Sequence, residues 1–172
     1  MILTKSEAFS AVIRRLAGPA VLVAALGLAA TPSFAQEDPF AALPGSWSGD
    51  GSIAMSNGTK ERIRCQATYR LQNPTTVDLR LSCSSDSYKF ELQSQTVASG
   101  NQISGTWSEM TRQVGGQLSG RASGSRLNLR AEGQTFSALL DMTTRGNTQA
   151  ISIRSPGSEM QEVRISLSKR GR

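Results

Sequence analysis

The sequence predicts an all-β protein, a single up-and-down antiparallel meander barrel of about ten strands with one disulfide. Apolar residues recur with period two over short segments rich in Gly, Ser and Thr, which is typical of half-buried strands. Each segment turns directly into the next, and none is long or periodic enough for a crossover helix. An open sheet of this size would expose an apolar face and two edges, so closure is favoured over the alternative, a two-sheet sandwich.

The first 35 residues are predicted to be a signal peptide. Lys5, Arg14 and Arg15 precede the apolar run LAGPAVLVAALGLAA, and SFA supplies small residues before cleavage near Ala35. A membrane helix is the alternative, but the run is short for a span. We therefore expect a periplasmic or secreted protein. The general and the twin-arginine export routes both stay open.

The mature chain is expected to have a flexible leader at residues 36–44 and a barrel domain at residues 45–172. The full chain carries 19 Lys and Arg against 13 Asp and Glu, and it contains no histidine. The lack of imidazole excludes Ser-His-Asp and Cys-His catalytic groups and a His-ligated zinc. No carboxylate pair or metal cluster can be assigned to the inner face. We therefore expect a protein that is not an enzyme and that uses no metal or cofactor.

The first predicted strand contains GSWSGDGSI, in which glycines alternate with Trp47. Inward-facing glycines let a strand bend sharply and let a large ring or a neighbouring backbone approach. We expect Trp47, together with Gly45, to close one end of the barrel. An odd loop centred on Gly58, or a bulge, would set Ile53 opposite Ile63 on the second strand.

The register of the second and third strands follows from apolar pairing alone. A loop centred on Pro74 pairs Tyr69 with Leu79, and the same register sets Cys65 directly opposite Cys83. Directly opposed strand residues are close enough for a disulfide, and an exported protein meets an oxidising compartment. We therefore predict an intrachain disulfide between the two cysteines.

The later strands continue the alternation to the end of the chain. Short polar turns such as SG, EG and GN separate them. The predicted registers set Leu118 opposite Leu129, Leu129 opposite Phe136, and Leu140 opposite Ile153.

The predicted inner face is apolar and carries almost no charge. A ten-stranded barrel is wider than its side chains readily fill, so one interpretation is a cavity for a small hydrophobic molecule or lipid, and the other is a packed core. The candidate cavity residues are Tyr69, Leu79, Leu81, Phe90, Leu92, Trp107, Leu118, Leu129, Phe136, Leu140 and Ile153.

Outward positions of the later strands form a predicted basic face of five arginines, Arg121, Arg126, Arg130, Arg154 and Arg164. The predicted register sets Arg121 opposite Arg126, a like-charge pair that an anion would relieve. Weak contact with an anionic membrane surface is one interpretation, and a solvated face is the other. Nucleic acid is not expected as a partner, because aromatic residues are not interleaved with the cations. A monomer is the default expectation.

At Gly45-Ser46-Trp47 the chain resembles the calycin group, which includes the lipocalins and the fatty-acid-binding proteins. In that group a Gly-x-Trp on the first strand closes one barrel end, and an arginine near the last strand often packs across the Trp. Arg154 and Arg164 are the nearest candidates for that arginine, although both take the outward parity. The resemblance implies a barrel that carries or senses a small hydrophobic ligand, here in the cell envelope.

The chain is also similar to the bacterial periplasmic metalloprotease inhibitors, which are exported barrels with one disulfide. In that family an N-terminal tail enters the protease active site, and QEDPFAALP would be the matching tail. This second resemblance implies an alternative function, an inhibitor or a protein or envelope interaction module with a packed barrel.

Overall fold

The computed structural model describes residues 38–134 and 137–171, which form a closed barrel of ten antiparallel strands. Each strand pairs with the next along the chain, and the first pairs with the last, so the sheet has no open edge. This confirms the predicted ten-stranded meander barrel. The strands are β1 (Gly45–Met55), β2 (Lys60–Asn73), β3 (Thr76–Ser84), β4 (Lys89–Ser99), β5 (Gln102–Glu109), β6 (Val114–Ser123), β7 (Arg126–Gly133), β8 (Ser137–Arg145), β9 (Thr148–Arg154) and β10 (Met160–Lys169).

The predicted signal peptide, residues 1–35, lies outside the described residues. Within the described ranges, no helix is long and apolar enough to cross a membrane.

The register between β2 and β3 is as predicted. Tyr69 pairs with Leu79, and Cys65 faces Cys83 with their Cα atoms 4.1 Å apart and their sulfurs joined in a disulfide. Both cysteines are buried. The crosslink therefore ties two neighbouring strands together on the inner face, where apolar pairing alone had set the cysteines opposite each other.

The predicted register between β1 and β2 is wrong by two residues. Ile53 faces Glu61 because the connecting turn is centred one residue earlier than expected. Asn57 tightens that turn, since its side-chain oxygen accepts hydrogen bonds from the backbone N–H and the hydroxyl of Thr59 at 3.0 and 2.7 Å. The backbone N–H of Met55 then donates to the carbonyl of Thr59 at 2.9 Å.

Two of the later registers are also shifted, whereas that between β8 and β9 is as predicted. Leu118 faces Ala131, and Leu129 faces Leu140, so the predicted pairings of Leu118 with Leu129 and of Leu129 with Phe136 are wrong. A shift by an even number of residues keeps every side chain on its face. Because several strands carry leucines at alternate positions, apolar residues face apolar residues in the predicted and in the observed registers. Alternation alone therefore does not distinguish these registers.

Glycine permits the closure of β1 against β10. Gly49 faces Leu167 of β10, and a Cβ atom at residue 49 would lie 1.9 Å from the carbonyl oxygen of Ser166. Any side chain would force the two backbones apart. The alternation of glycine with Trp47 in this strand therefore reflects the close approach of the last strand.

The leader segment, residues 38–44, packs into the barrel end beside Trp47. Phe40 and Leu43 are buried, and the indole N–H of Trp47 donates to the carbonyl of Leu43 at 2.8 Å. The Trp47 ring also meets Tyr69 edge to face, with the ring centroids 6.4 Å apart. The prediction of a flexible leader is therefore wrong for residues 38–44, because two apolar side chains fill the space that the strands leave at this end.

A lysine, not an arginine, lies across Trp47. The Nζ atom of Lys169 is 5.3 Å from the Trp47 ring centroid and donates to a carbonyl of the leader segment. Gly45 adopts φ of 123°, and a Cβ atom there would lie 3.1 Å from Cε of Lys169. Arg154 and Arg164 form ion pairs with acidic residues instead, so neither takes the position expected from the calycin resemblance.

Loss of the disulfide should destabilise the barrel. Replacing both Cys65 and Cys83 by Ser should lower the free energy of unfolding by about 2 to 4 kcal/mol, because the open chain gains conformational freedom when unfolded. Urea unfolding followed by circular dichroism measures the change, and reduction of the wild type should give a similar loss. Equal unfolding midpoints for the oxidised and reduced wild type would contradict this expectation.

Trp47 should be the most costly side chain to remove from the closed end. Trp47→Ala leaves a cavity among Phe40, Leu43 and Tyr69 and should lower the free energy of unfolding by about 3 to 5 kcal/mol. Trp47→Phe keeps most of the volume but loses the donor to Leu43, so it should cost less. A loss below about 1 kcal/mol for Trp47→Ala in urea unfolding would show that the end is not tightly packed.

Candidate functional site: the barrel cavity

A cavity of about 380 Å³ lies inside the barrel and reaches the end opposite Trp47. The buried side chains form two clusters, a larger one that includes Trp47 and a smaller one around Trp107 and Leu118. Members of both clusters line the cavity. Its volume falls in the range of small-molecule sites, roughly 300 to 1,000 Å³.

The alternation in the sequence identified a large part of the cavity wall. All candidate residues within the described ranges line it, namely Tyr69, Leu79, Leu81, Phe90, Leu92, Trp107, Leu118, Leu129, Leu140 and Ile153. Phe136 lies outside the described residues. Binding of a ligand by these side chains remains a prediction.

Small side chains on β4 help to leave the cavity open. Ser94 and Thr96 line it, and they face Leu79 and Val77 of β3. These two polar residues were missing from the predicted inner face, although the alternation that starts at Phe90 points to them. The wall is therefore mostly apolar, and β4 contributes two of its hydroxyl groups.

A buried polar chain lies toward the closed end of the cavity. The Tyr69 hydroxyl donates to Gln149 Oε1 at 2.9 Å, and Gln149 Nε2 donates to Thr144 Oγ1 at 3.0 Å. Burial raises the pKa of the Tyr69 phenol, and the hydrogen bond with Gln149 offsets only part of that effect. Tyr69 therefore stays neutral, and the polar groups of this end satisfy one another.

The other end of the cavity holds a carboxylate, Glu109, that is buried at the end of β5. Its oxygens accept hydrogen bonds from the backbone N–H groups of Glu91, Thr111 and Arg112 at 3.0, 3.0 and 2.7 Å. Burial alone would raise the pKa of Glu109, but these hydrogen bonds favour the charged form and lower it overall. The carboxylate thus fixes the turn between β5 and β6 in its ionised state.

Arg112 lies in that turn and lines the cavity mouth. Its guanidinium carbon lies 4.6 Å from the centroid of the Tyr88 ring, and Nη1 lies 3.6 Å from Glu109 Oε2. Strand alternation does not extend into turns, so it does not single out Arg112. The available signal was an arginine three residues after an inward-facing glutamate at a strand end.

Most of the predicted basic face is neutralised by neighbouring acids. The ion pairs join Arg130 to Glu132, Arg154 to Asp141 and Arg164 to Glu162, at 2.8, 3.2 and 2.8 Å. Arg121 faces Asn128, so the predicted pairing of Arg121 with Arg126 is wrong. The cause is the register shift between β6 and β7 that also sets Leu118 opposite Ala131. Contact with an anionic membrane surface stays a prediction, now with fewer uncompensated charges to support it.

Known proteins resemble this chain in fold but not in sequence. No family model and no curated protein matches the chain. A crystal structure of Rv2717c from M. tuberculosis is similar, with a TM-score of 0.63 and 10% identity over 80% of this chain and 98% of that one. An S-type phycobiliprotein lyase, CPES from Guillardia theta, has a TM-score of 0.57 and 11% identity over 82% of this chain and 99% of that one.

Fold and site together define a class, an antiparallel ten-stranded barrel with an internal cavity. At such low identity the likeness to the two solved structures extends to the fold alone.

Glu109 should stabilise the protein only while it is charged. Glu109→Gln keeps the shape but loses the charge that three N–H groups surround, and should lower the free energy of unfolding by about 1 to 3 kcal/mol at neutral pH. Because folding lowers the pKa of Glu109 below its usual 4.5, its contribution is present above that pH and is lost as the pH falls through the lowered value.

The difference between the wild type and Glu109→Gln in urea unfolding should therefore shrink in acid. Glu132→Gln is the matched control, since Glu132 is exposed and forms a surface ion pair with Arg130, and it should have little effect. A Glu109→Gln deficit that is the same at neutral and acid pH would contradict the assigned role.

Proposed function

We propose that this protein carries or senses a small hydrophobic molecule inside its barrel and acts in the cell envelope by binding, not by catalysis. The observation that carries the proposal is the mostly apolar cavity, closed by Trp47 and the leader segment at one end and lined at the other by the exposed side chain of Arg112. A packed core would leave no such volume.

The size and lining of the cavity favour an aliphatic or comparable ligand. Each methylene moved from water into apolar surroundings contributes about 0.8 kcal/mol, and micromolar affinity requires about 8 kcal/mol. A chain of roughly ten or more methylenes is therefore needed, since association itself has a cost. Polar groups on the wall are few, so shape and length of the chain should decide affinity.

The envelope assignment rests on the amino-terminal sequence and on the disulfide. Disulfides persist in oxidising compartments, and the Cys65–Cys83 pair supports export on that ground. The lack of histidine throughout the chain supports a binding role over common hydrolytic chemistry.

The alternative function of a tail-dependent protease inhibitor has less support. Phe40 and Leu43, which belong to the segment compared with an inhibitory tail, are buried in the barrel end. Extending that tail into a protease would uncover both side chains and the Trp47 ring.

Filling the cavity should abolish ligand binding. The delipidated wild type should bind the neutral dye Nile red with a stoichiometry of about one and micromolar or better affinity, as expected for a single small-molecule site. Leu129→Trp places a larger ring at the cavity wall and should prevent binding without unfolding the barrel. Fluorescence titration measures binding, and urea unfolding checks stability.

Leu139→Trp is the matched control, because Leu139 lies on the neighbouring strand with its side chain exposed to solvent. It should bind Nile red like the wild type. If the wild type binds no dye, and Leu129→Trp is destabilised by roughly 1 to 3 kcal/mol as an overpacked core would be, the proposed function is wrong.

A further inference from the structure

We propose that Arg112 and Tyr88 form a head-group site at the cavity mouth, and that the preferred ligand is a single-chain amphiphile with a carboxylate-type anionic head. This inference rests on the proposed function and specifies its ligand class. The chain of the ligand lies in the cavity, and its head lies beside the guanidinium.

The first argument is the position of the charges. Among the described residues that line the cavity, Arg112 is the only lysine or arginine. At the other end, Tyr69, Gln149 and Thr144 are neutral and hydrogen-bonded to one another. A charged head placed there would be buried without an ionic partner, which is strongly unfavourable. A charged head is therefore accommodated only at the mouth.

The second argument is that Arg112 is held in place before any ligand arrives. Its backbone N–H donates a hydrogen bond to the Glu109 carboxylate, and its guanidinium lies over the Tyr88 ring. Nη1 and Glu109 Oε2 are 3.6 Å apart, which is longer than a hydrogen bond. The ion pair therefore leaves N–H donors of the guanidinium free to bind a ligand. A carboxylate fits this group, because its two oxygens match the planar fork of guanidinium donors.

Tyr88 provides a neutral donor next to this cation. Burial raises the pKa of the Tyr88 phenol and outweighs the opposite effect of Arg112. The hydroxyl group therefore keeps its proton at neutral pH. Among the described residues it donates only a long contact to Met160 Sδ at 3.9 Å, which a carboxylate oxygen, a stronger acceptor, would replace.

Apolar surface lies beside the cation at the mouth. Val114, two residues after Arg112 in the chain, also lines the cavity and is 36% exposed. An apolar wall next to one cation matches the junction between the tail and the head of an amphiphile.

Two carboxylates at the mouth oppose an anionic head and define the competing possibility. The negative charge of Glu109 is met by three backbone N–H groups and by Arg112, whereas Glu159 is exposed and solvated. If these carboxylates dominated, a cationic amphiphile would bind best. The experiment therefore includes one.

The test compares three ligands of equal chain length, myristic acid, myristyl alcohol and myristylamine, by displacement of Nile red from the full mature protein. The wild type should bind the acid about 3- to 10-fold more tightly than the alcohol, as expected for a partly exposed charge-assisted contact. Added salt should reduce that preference. The amine should bind no better than the alcohol.

Arg112→Gln should remove the preference for the acid, so that the variant binds the acid and the alcohol with equal affinity. Arg112→Lys, which keeps the charge but not the planar fork, should keep part of it. Arg121→Gln is the matched control, since it removes one arginine from the outer surface on β6 and should leave the preference intact.

The outcomes separate the two proposals. Equal binding of acid and alcohol by the wild type, or tightest binding of the amine, would overturn the head-group site and leave the hydrophobic carrier in place. Equal loss of all three ligands in Arg112→Gln would also overturn it, because Arg112 would then act on the barrel and not on the head group. If the wild type binds none of the three ligands and no dye, both proposals are wrong.

Discussion

The close approach of β1 to β10 is the constraint on which the rest of the barrel depends. Gly49 faces Leu167 on one side and Cys65 on the other, so a single position without a side chain serves two contacts at once. It admits the backbone of the last strand, and it lies beside the buried disulfide that continues the same row to Cys83 on β3. Without closure the inner face would be exposed along two open edges, and the cavity would not be enclosed.

The two ends of the barrel solve opposite physical problems. At the closed end, Phe40, Leu43 and Trp47 replace water with apolar packing, and the polar atoms of Tyr69 are satisfied within the protein. The other end keeps a charged pair, Glu109 and Arg112, beside a cavity that the strands do not fill. Affinity for an apolar molecule would therefore come from the interior, and discrimination between head groups would come from the mouth.

The alternation of apolar and polar residues predicts which side chains face the interior, but not how the strands are aligned or how the barrel ends are closed. Alternation assigns a face to each residue, and it correctly placed Leu118, Leu129 and the other candidate leucines on the cavity wall. It does not encode absolute register, because a shift by two residues preserves the face, and so Leu118 was paired with the wrong partner. Phe40 and Arg112 lie before the first strand and within a turn. Their contacts are made across the ends of the barrel, where no periodic signal exists, so both were missed.

The carboxylate of Glu109 repels an anionic ligand, but it also positions the arginine that would bind one. Glu109 accepts three backbone N–H groups, and one of these belongs to Arg112 itself. The turn and the guanidinium are therefore positioned by the same carboxylate, whose lowered pKa keeps it ionised into mildly acidic conditions. Removing its charge would reduce the local repulsion of an anion, but it would also release the turn that carries Arg112. In the proposed head-group site, Glu109 thus acts as a positioning residue, and its negative charge is the condition for a preformed cation at the mouth.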